Sequence, residues 1–258
     1  MEIISLINKK GGVGKTATAV NLAYELSLLG KSVLLIDYDG QANATKYLGM
    51  ENPVVSVADV MFKSVSPGNA IVETKYENLE VLPSSEEFDR AAAMLRQEEI
   101  IPPQLFLRRA IKKHGFPKEY DIVLIDCPPQ LDVLTANALN VADYIVVPVQ
   151  ADFFSLDGLE AVLDAVDSAN AGRMDSDLEL LGVVMTRVFE KSVMARKIFE
   201  TLKDWDIPIF GTRIRSSQDI PKSSEKQVPV GVYNRKSNAA LDYRELAQEL
   251  ISLLREAK

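Results

Sequence analysis

Ile3-Ile4-Ser5-Leu6-Ile7-Asn8-Lys9-Lys10-Gly11-Gly12-Val13-Gly14-Lys15-Thr16 is the stretch that decides the fold. A short apolar run leads into three glycines around a Lys-Thr pair, so a buried strand feeds a tight loop that opens a helix. A strict G-x-x-x-x-G-K-[ST] loop would place glycine at position 9, where Lys9 stands. The pattern present, K-G-G-V-G-K-T, is a deviant form of the same phosphate loop. Its chemistry is unchanged. Glycines let consecutive backbone N–H groups turn inward around phosphates, and the helix that begins near Lys15 aims its positive end at them. ATP and Mg²⁺ are therefore the expected cofactors, with Lys15 reaching the terminal phosphates and the Thr16 hydroxyl ligating the metal. An incidental lysine in a glycine-rich turn is the competing reading, and the strand before and helix after argue against it. For Lys10, spacing alone leaves two readings open, an exposed charge or a second cation meeting a strongly anionic ligand.

Moving outward, residues 33–36, 122–125 and 144–149 are apolar runs without polar alternation, as in parallel strands buried on both faces. Residues 180–185 and 207–214 add a fifth and sixth strand to these and 3–7. Helical patterns lie between them. Residues 15–29 put Ala19, Leu22, Ala23, Leu26 and Leu29 on one stripe, with Gly30 as a C-terminal stop. Further helices are expected over 156–169, 193–203 and 241–254. Alternating strands and helices predict an α/β fold, a single-domain doubly wound, mostly parallel sheet with helices on both faces and ligands at the carboxyl ends of the strands. One domain over residues 1–258 is expected. The proline-containing stretch 50–117 reads as an insertion within it, between the second and third core-forming strands, with helices near 85–97 and 104–113.

Two strands end in acids. Val33-Leu34-Leu35-Ile36 runs into Asp37-Tyr38-Asp39, and Ile122-Val123-Leu124-Ile125 into Asp126-Cys127-Pro128-Pro129. Four apolar residues and a terminal carboxylate suit a group that holds Mg²⁺ directly or through water. Asp126 is the metal-side candidate because two prolines turn the chain out of the sheet just after it. Asp39, beyond its strand end, is the natural group to orient or activate the attacking water. Asp37 reads as a strand-end carboxylate that pairs locally or supports the site.

Composition sets limits. The 258 residues carry a net charge of -8, which excludes a wholly basic nucleic-acid binder. From 186 to 236, however, eleven Lys or Arg face six Asp or Glu. Such a sector is either an electrostatic footprint for polyanions or a set of solvated helix faces. The single cysteine, Cys127, cannot build a disulfide framework or a cysteine metal site and reads as a small buried residue. His114 reads as a helix C-terminal cap and Trp205 as packing. With no basic leader at the start and no apolar run of ~18 residues, a cytosolic protein is expected.

Taken in order, these motifs resemble the ParA/MinD family of deviant Walker ATPases, most closely ParA/Soj partition proteins. The likeness runs from Lys10 to Ala17, through Asp37-Tyr38-Asp39-Gly40-Gln41-Ala42-Asn43 against the family's D-x-D-P-Q-G-N, through 121–129, Asn137-Ala138-Leu139 and 145–159. It ends at Pro229-Val230 and Tyr233-Asn234-Arg235-Lys236-Ser237 against P-I-x-x-Y-D-P-K-S. The resemblance implies that Lys10, Gly11, Gly12, Val13, Gly14, Lys15, Thr16 and Ala17 hold the nucleotide, and that Lys10 reaches across an ATP-dependent homodimer to the partner's phosphates. It also implies that Asp39 supports hydrolysis and that the dimer binds DNA non-specifically. A ParB-type or other small adaptor protein would stimulate a weak ATPase to move cargo. Departures occur at Ala17, Gly40 and Ala42. Arg215 and Ser217 align with residues near the adenine, and Asp219 with an arginine associated with DNA contact. Arg187, Lys191, Arg196, Lys197, Arg213, Lys222 and Lys226 are the alternative phosphate-binding surface. A MinD-like membrane-surface ATPase is the alternative function. It would need a terminal helix with a basic face, whereas 241–258 carries four acids against three bases. An iron-protein relative would need two cysteines per subunit, and a tyrosine autokinase a terminal tyrosine cluster.

Overall fold

The computed structural model describes residues 1–95, 102–152, 155–173, 177–189 and 192–256. In chain order the elements are β1 (Glu2–Leu6), α1 (Lys15–Leu28), β2 (Val33–Asp37), α2 (Asn43–Tyr47), α3 (Val57–Phe62), α4 (Pro67–Ala70), β3 (Val72–Glu73), β4 (Leu79–Leu82), α5 (Glu87–Leu95) and α6 (Phe106–His114). They continue with β5 (Ile122–Asp126), α7 (Val133–Val141), β6 (Tyr144–Gln150), α8 (Ser155–Ala171), β7 (Glu179–Val188), α9 (Val193–Asp204), β8 (Ile209–Arg215), α10 (Asp219–Glu225), α11 (Val230–Tyr233) and α12 (Asn238–Glu256). The eight strands form one sheet in the order β3-β4-β2-β5-β1-β6-β7-β8. Every pairing is parallel except that of β3 with β4.

Why the strands lack alternation is now visible. Leu34, Ile36, Val123 and Ile125 point into one apolar cluster, while Val33, Leu35, Ile122 and Leu124 point into a second. Both faces are covered, so both sets of side chains must be apolar. On the second face α1 and α12 pack together, and α12 also lies on β8. Within α1, Ala19, Leu22, Ala23 and Leu26 are fully buried. Leu29, expected on that stripe, is 40% exposed. The helix ends one residue earlier, and Gly30 takes up a positive φ of 77° that terminates it.

The stretch 50–117 differs most from expectation. Helices α5 and α6 stand where helices were expected, though residues 96 and 97 lie outside the described residues. The stretch also contributes β4, which pairs in parallel with β2 from Val33 against Leu79 to Ile36 against Leu82. Part of the supposed insertion is thus a strand of the main sheet. The chain leaves β1 toward β2 on one side and crosses from β5 over β1 to β6 on the other. The glycine-rich loop after β1 therefore opens at the carboxyl edge where the winding reverses, the usual ligand position in such sheets.

Candidate nucleotide site

The loop is fastened before it bends. Ile7 N donates to Val146 O at 3.1 Å, and the Asn8 side-chain amide donates to Pro148 O at 2.8 Å, tying the loop's start to β6. Asn8 Oδ1 accepts from Lys10 N at 2.8 Å. Gly12 and Gly14 have φ of 77° and 91°, left-handed values that a side chain would strain. On the far side the Thr186 hydroxyl of β7 donates to Val13 O at 2.6 Å. Gly14 is the N-cap of α1 and supplies no side-chain cap, so the helix presents bare amides to the cavity in front of it. The Lys15 ammonium folds back over the loop and donates to Asn8 O at 3.0 Å and Lys10 O at 3.2 Å. Burial lowers its pKa, opposed first by the charge of Asp126.

A cavity of about 510 Å³ fronts this loop. Gly11, Gly12, Gly14, Lys15, Thr16 and Ala17 line one side, and Asp39 and Gln41 the other. Asp39 is held in its turn by Gln41 N, which donates to Asp39 Oδ1 at 3.0 Å. Behind the loop lies Asp126, 1% exposed, with neither carboxylate oxygen hydrogen-bonded. Burial pushes its carboxyl well above the usual range, and the charge of Asp37 adds to this, while Thr16 and Lys15 pull the other way. An uncompensated buried carboxylate costs several kcal/mol. It is stabilised by taking up a proton or by a nearby cation, so an oxygen-ligated divalent ion fits this position together with the Thr16 hydroxyl. Among the described residues no group of three His, Cys, Asp or Glu could hold a metal by itself.

A second cavity of about 650 Å³ adjoins the first, sharing Thr16, Ala17, Asn43 and Arg187 with it. Ser217 lines this second cavity. Arg215 does not. Its backbone N donates to Asp242 Oδ2 at 2.8 Å and its Nε to Asp242 Oδ1 at 3.0 Å, so the guanidinium is turned onto α12. The Arg215 side chain thus faces α12 and not the second cavity. Val13 is buried at 1% exposure and its side chain does not line the cavity. Lys10 points out of the cavity to an ion pair with Asp152, where it is about one-third exposed.

The basic residues part company. Arg187, at a φ of 51°, is exposed and lines both cavities. Arg196 and Lys197 are exposed on α9, Lys222 and Lys226 on or beside α10, and Arg213 covers the ring of Phe199 at 4.4 Å. Lys191 lies outside the described residues. Asp219 accepts from Asn234 Nδ2 at 3.0 Å. Asn8, Thr186 and Asp89, which also lines the first cavity, belong to no motif in the sequence. The second cavity's Ser216-to-Gln218 loop was visible there only through its alignment with the family.

Comparison with known proteins bears on this geometry directly. A family model described as an AAA domain matches residues 1–180. The sporulation initiation inhibitor protein Soj of Bacillus subtilis is 34% identical, over 96% of this chain and 98% of that protein. The chain belongs to the ParA/MinD family of P-loop ATPases. The chromosome partitioning protein ParA of Caulobacter vibrioides is 30% identical, over 99% of this chain and 96% of its own. Among solved structures, cobyrinic acid a,c-diamide synthase from Mycobacterium smegmatis with bound ATP analog and magnesium superposes with a TM-score of 0.84 at 29% identity. That match covers 100% of this chain and 97% of that one. Membership in the family gives the phosphate loop, the strand-end acids and the parallel sheet a common origin. No described helix is long and apolar enough to cross a membrane.

Proposed function

We propose that this ParA/MinD-family member is a ParA-type ATPase of the cytoplasm. It binds ATP with Mg²⁺, forms an ATP-dependent sandwich dimer, binds DNA non-specifically and so associates with the nucleoid. A ParB-type or similar adaptor then stimulates hydrolysis to segregate or position DNA or another cargo. The observation that carries the nucleotide part is Asp126, a buried carboxylate without hydrogen-bond partners behind an uncapped helix and a glycine loop. The likeness to Soj and ParA over nearly the full chain supports the positioning role.

In this reading the loop amides from residue 11 onward and the start of α1 cradle the phosphates, and Lys15 leaves the two loop carbonyls to meet the terminal oxygens. Thr16 and Asp126 hold the metal, which when bound neutralises charge on the phosphates. Asp39, across the cavity, orients the attacking water and takes its proton. Lys10, already directed out of its own cavity, would exchange Asp152 for a partner's phosphates. The second cavity, with Ser217, receives the base. A nucleotide contacted by both subunits favours the dimer by its differential affinity. The exposed Arg196, Lys197, Lys222 and Lys226 are the residues to supply DNA contacts. On α12, Tyr243, Leu246, Leu250 and Leu254 are buried in the core, so the apolar face of this helix is not free to lie on a membrane surface.

The test is size and DNA binding of Asp39→Ala with ATP and with ADP. An ATP-only dimer whose DNA affinity falls steeply with added salt is expected. A monomer in both nucleotides would overturn dimerisation, and a flat salt response or no DNA binding would point to a different track.

A further inference from the structure

The turn that carries Asp39 rests on a residue fifty positions away. A β-carbon placed on Gly40 would lie 2.2 Å from one carboxylate oxygen of Asp89, 2.3 Å from its carboxylate carbon and 2.5 Å from the other oxygen. The carboxylate therefore sits against the bare glycine, in the space a side chain at position 40 would take. Asp89 lies in the first turn of α5 and lines the same cavity as Gly12, Lys15, Thr16 and Asp39. Its place is set by its neighbour. Phe88 is fully buried and meets Tyr38 edge to face, with ring centroids 4.8 Å apart. Tyr38 adjoins Asp39 as Phe88 adjoins Asp89, so one aromatic contact brings the two acids to the same cavity. Burial and then the charge of Asp39 raise the Asp89 carboxyl above its ordinary range, with Asp132 at the start of α7 adding and the Gln41 side chain opposing. Lys15 and Arg187 are the cations on the same cavity.

We propose that Asp89 is a positioning residue for hydrolysis: seated on Gly40, its carboxylate holds the 39–41 turn so that Asp39 faces the phosphate loop. Gly40 then has a physical reason to stand where the family pattern has proline, because any side chain there evicts Asp89. The proposal rests on the reading of Asp39 as the hydrolytic carboxylate.

The experiment compares full-length wild type, Asp89→Asn, Gly40→Ala, the double variant and Asp39→Ala. Each is assayed for ATP affinity and for kcat and KM with Mg²⁺ across the neutral pH range. Asp89→Asn is expected to lower kcat about ten- to a hundredfold with KM little changed, the signature of a misplaced group rather than a lost binding contact. Gly40→Ala, by evicting the same carboxylate, is expected to cost as much, and the double variant no more than either single change. Because the Asp89 carboxyl is raised, it loses its charge early as pH falls, so the gap between wild type and Asp89→Asn closes on the acid side. The proposal is overturned if Asp89→Asn keeps wild-type kcat and pH profile while Asp39→Ala is inactive, if the two single losses add, or if only KM changes. Normal hydrolysis by Asp39→Ala would instead refute the role of Asp39, and the role of Asp89 would fall with it.

Discussion

Asp37 and Asp126 end adjacent parallel strands, stand opposite each other in register, and are both shut off from solvent at 0% and 1% exposure. Their surroundings differ completely. Asp37 accepts from Thr45 N at 2.8 Å, Thr45 Oγ1 at 2.6 Å and Asp39 N at 3.4 Å, and Thr45 Oγ1 is in turn bonded by Ser84 N. Neither Asp126 oxygen has a partner at hydrogen-bond distance, although the Thr16 hydroxyl lies near enough to favour its charged form. Identical chemistry at equivalent strand positions thus yields one carboxylate that fastens α2 to the sheet and one left unsatisfied beside Lys15. The lesson is that burial of an acid does not mark a site. Burial without donors does, because the protein then relies on something else to compensate the charge.

The largest expected effect tests whether that missing compensation belongs to a phosphate site at all. Lys15→Ala should weaken ATP binding by about a thousandfold through loss of charge-assisted hydrogen bonds, measured by titration calorimetry. Normal affinity would detach Asp126 from any nucleotide role. Next, Asp39→Ala should slow ATP turnover about a hundredfold while retaining bound ATP, and unchanged phosphate release would remove Asp39 from the water's path. The two strand-end acids are then separated directly. Asp126→Asn should reduce the magnesium-dependent part of ATP affinity by about tenfold, whereas Asp37→Asn should leave it intact and lower the melting temperature instead. Equal effects of the two changes on magnesium dependence would erase the contrast drawn between them. The smallest effect is on pH dependence. Burial raises Asp37 from 3.8 to about 6, so the native state holds a proton more tightly than the unfolded chain. Stability from this group is absent above that value and grows as pH falls through it. Nucleotide-free wild type should gain about 1 kcal/mol over Asp37→Asn between about pH 7 and pH 5, and parallel melting curves across that window would contradict the raised carboxyl.

Much of the fold and of the phosphate loop is legible in the sequence, and the limits have physical causes. The buried parallel strands announce themselves because both faces demand apolar residues, and a glycine loop between such a strand and an amphipathic helix has few other uses. Strand β4 did not stand out. Its Leu79-Glu80-Val81-Leu82 is short and carries an acid, and Glu80 is tolerated only because Lys118 and the Tyr120 hydroxyl meet it. The contrast between Asp37 and Asp126 depends on Thr45, eight residues along, curling back on one acid and not the other, which strand patterns do not encode. Arg215 was placed near the base by alignment alone, and a buried acid on α12 claims it. Asp89 had no motif to betray it. The one hint was Gly40, a departure from the family's turn whose meaning appears only when α5 is folded against it.

The hydroxyl of Thr186 has a reach beyond its own bond. A trans peptide is flat, so the carbonyl of Val13 and the N–H of Gly14 point in opposite directions within one plane. Capturing the carbonyl from β7 obliges that N–H to face away from β7. A residue more than 170 positions downstream thereby sets the aim of a loop amide without approaching whatever that amide greets. Any slide of β7 would rotate that peptide like a key.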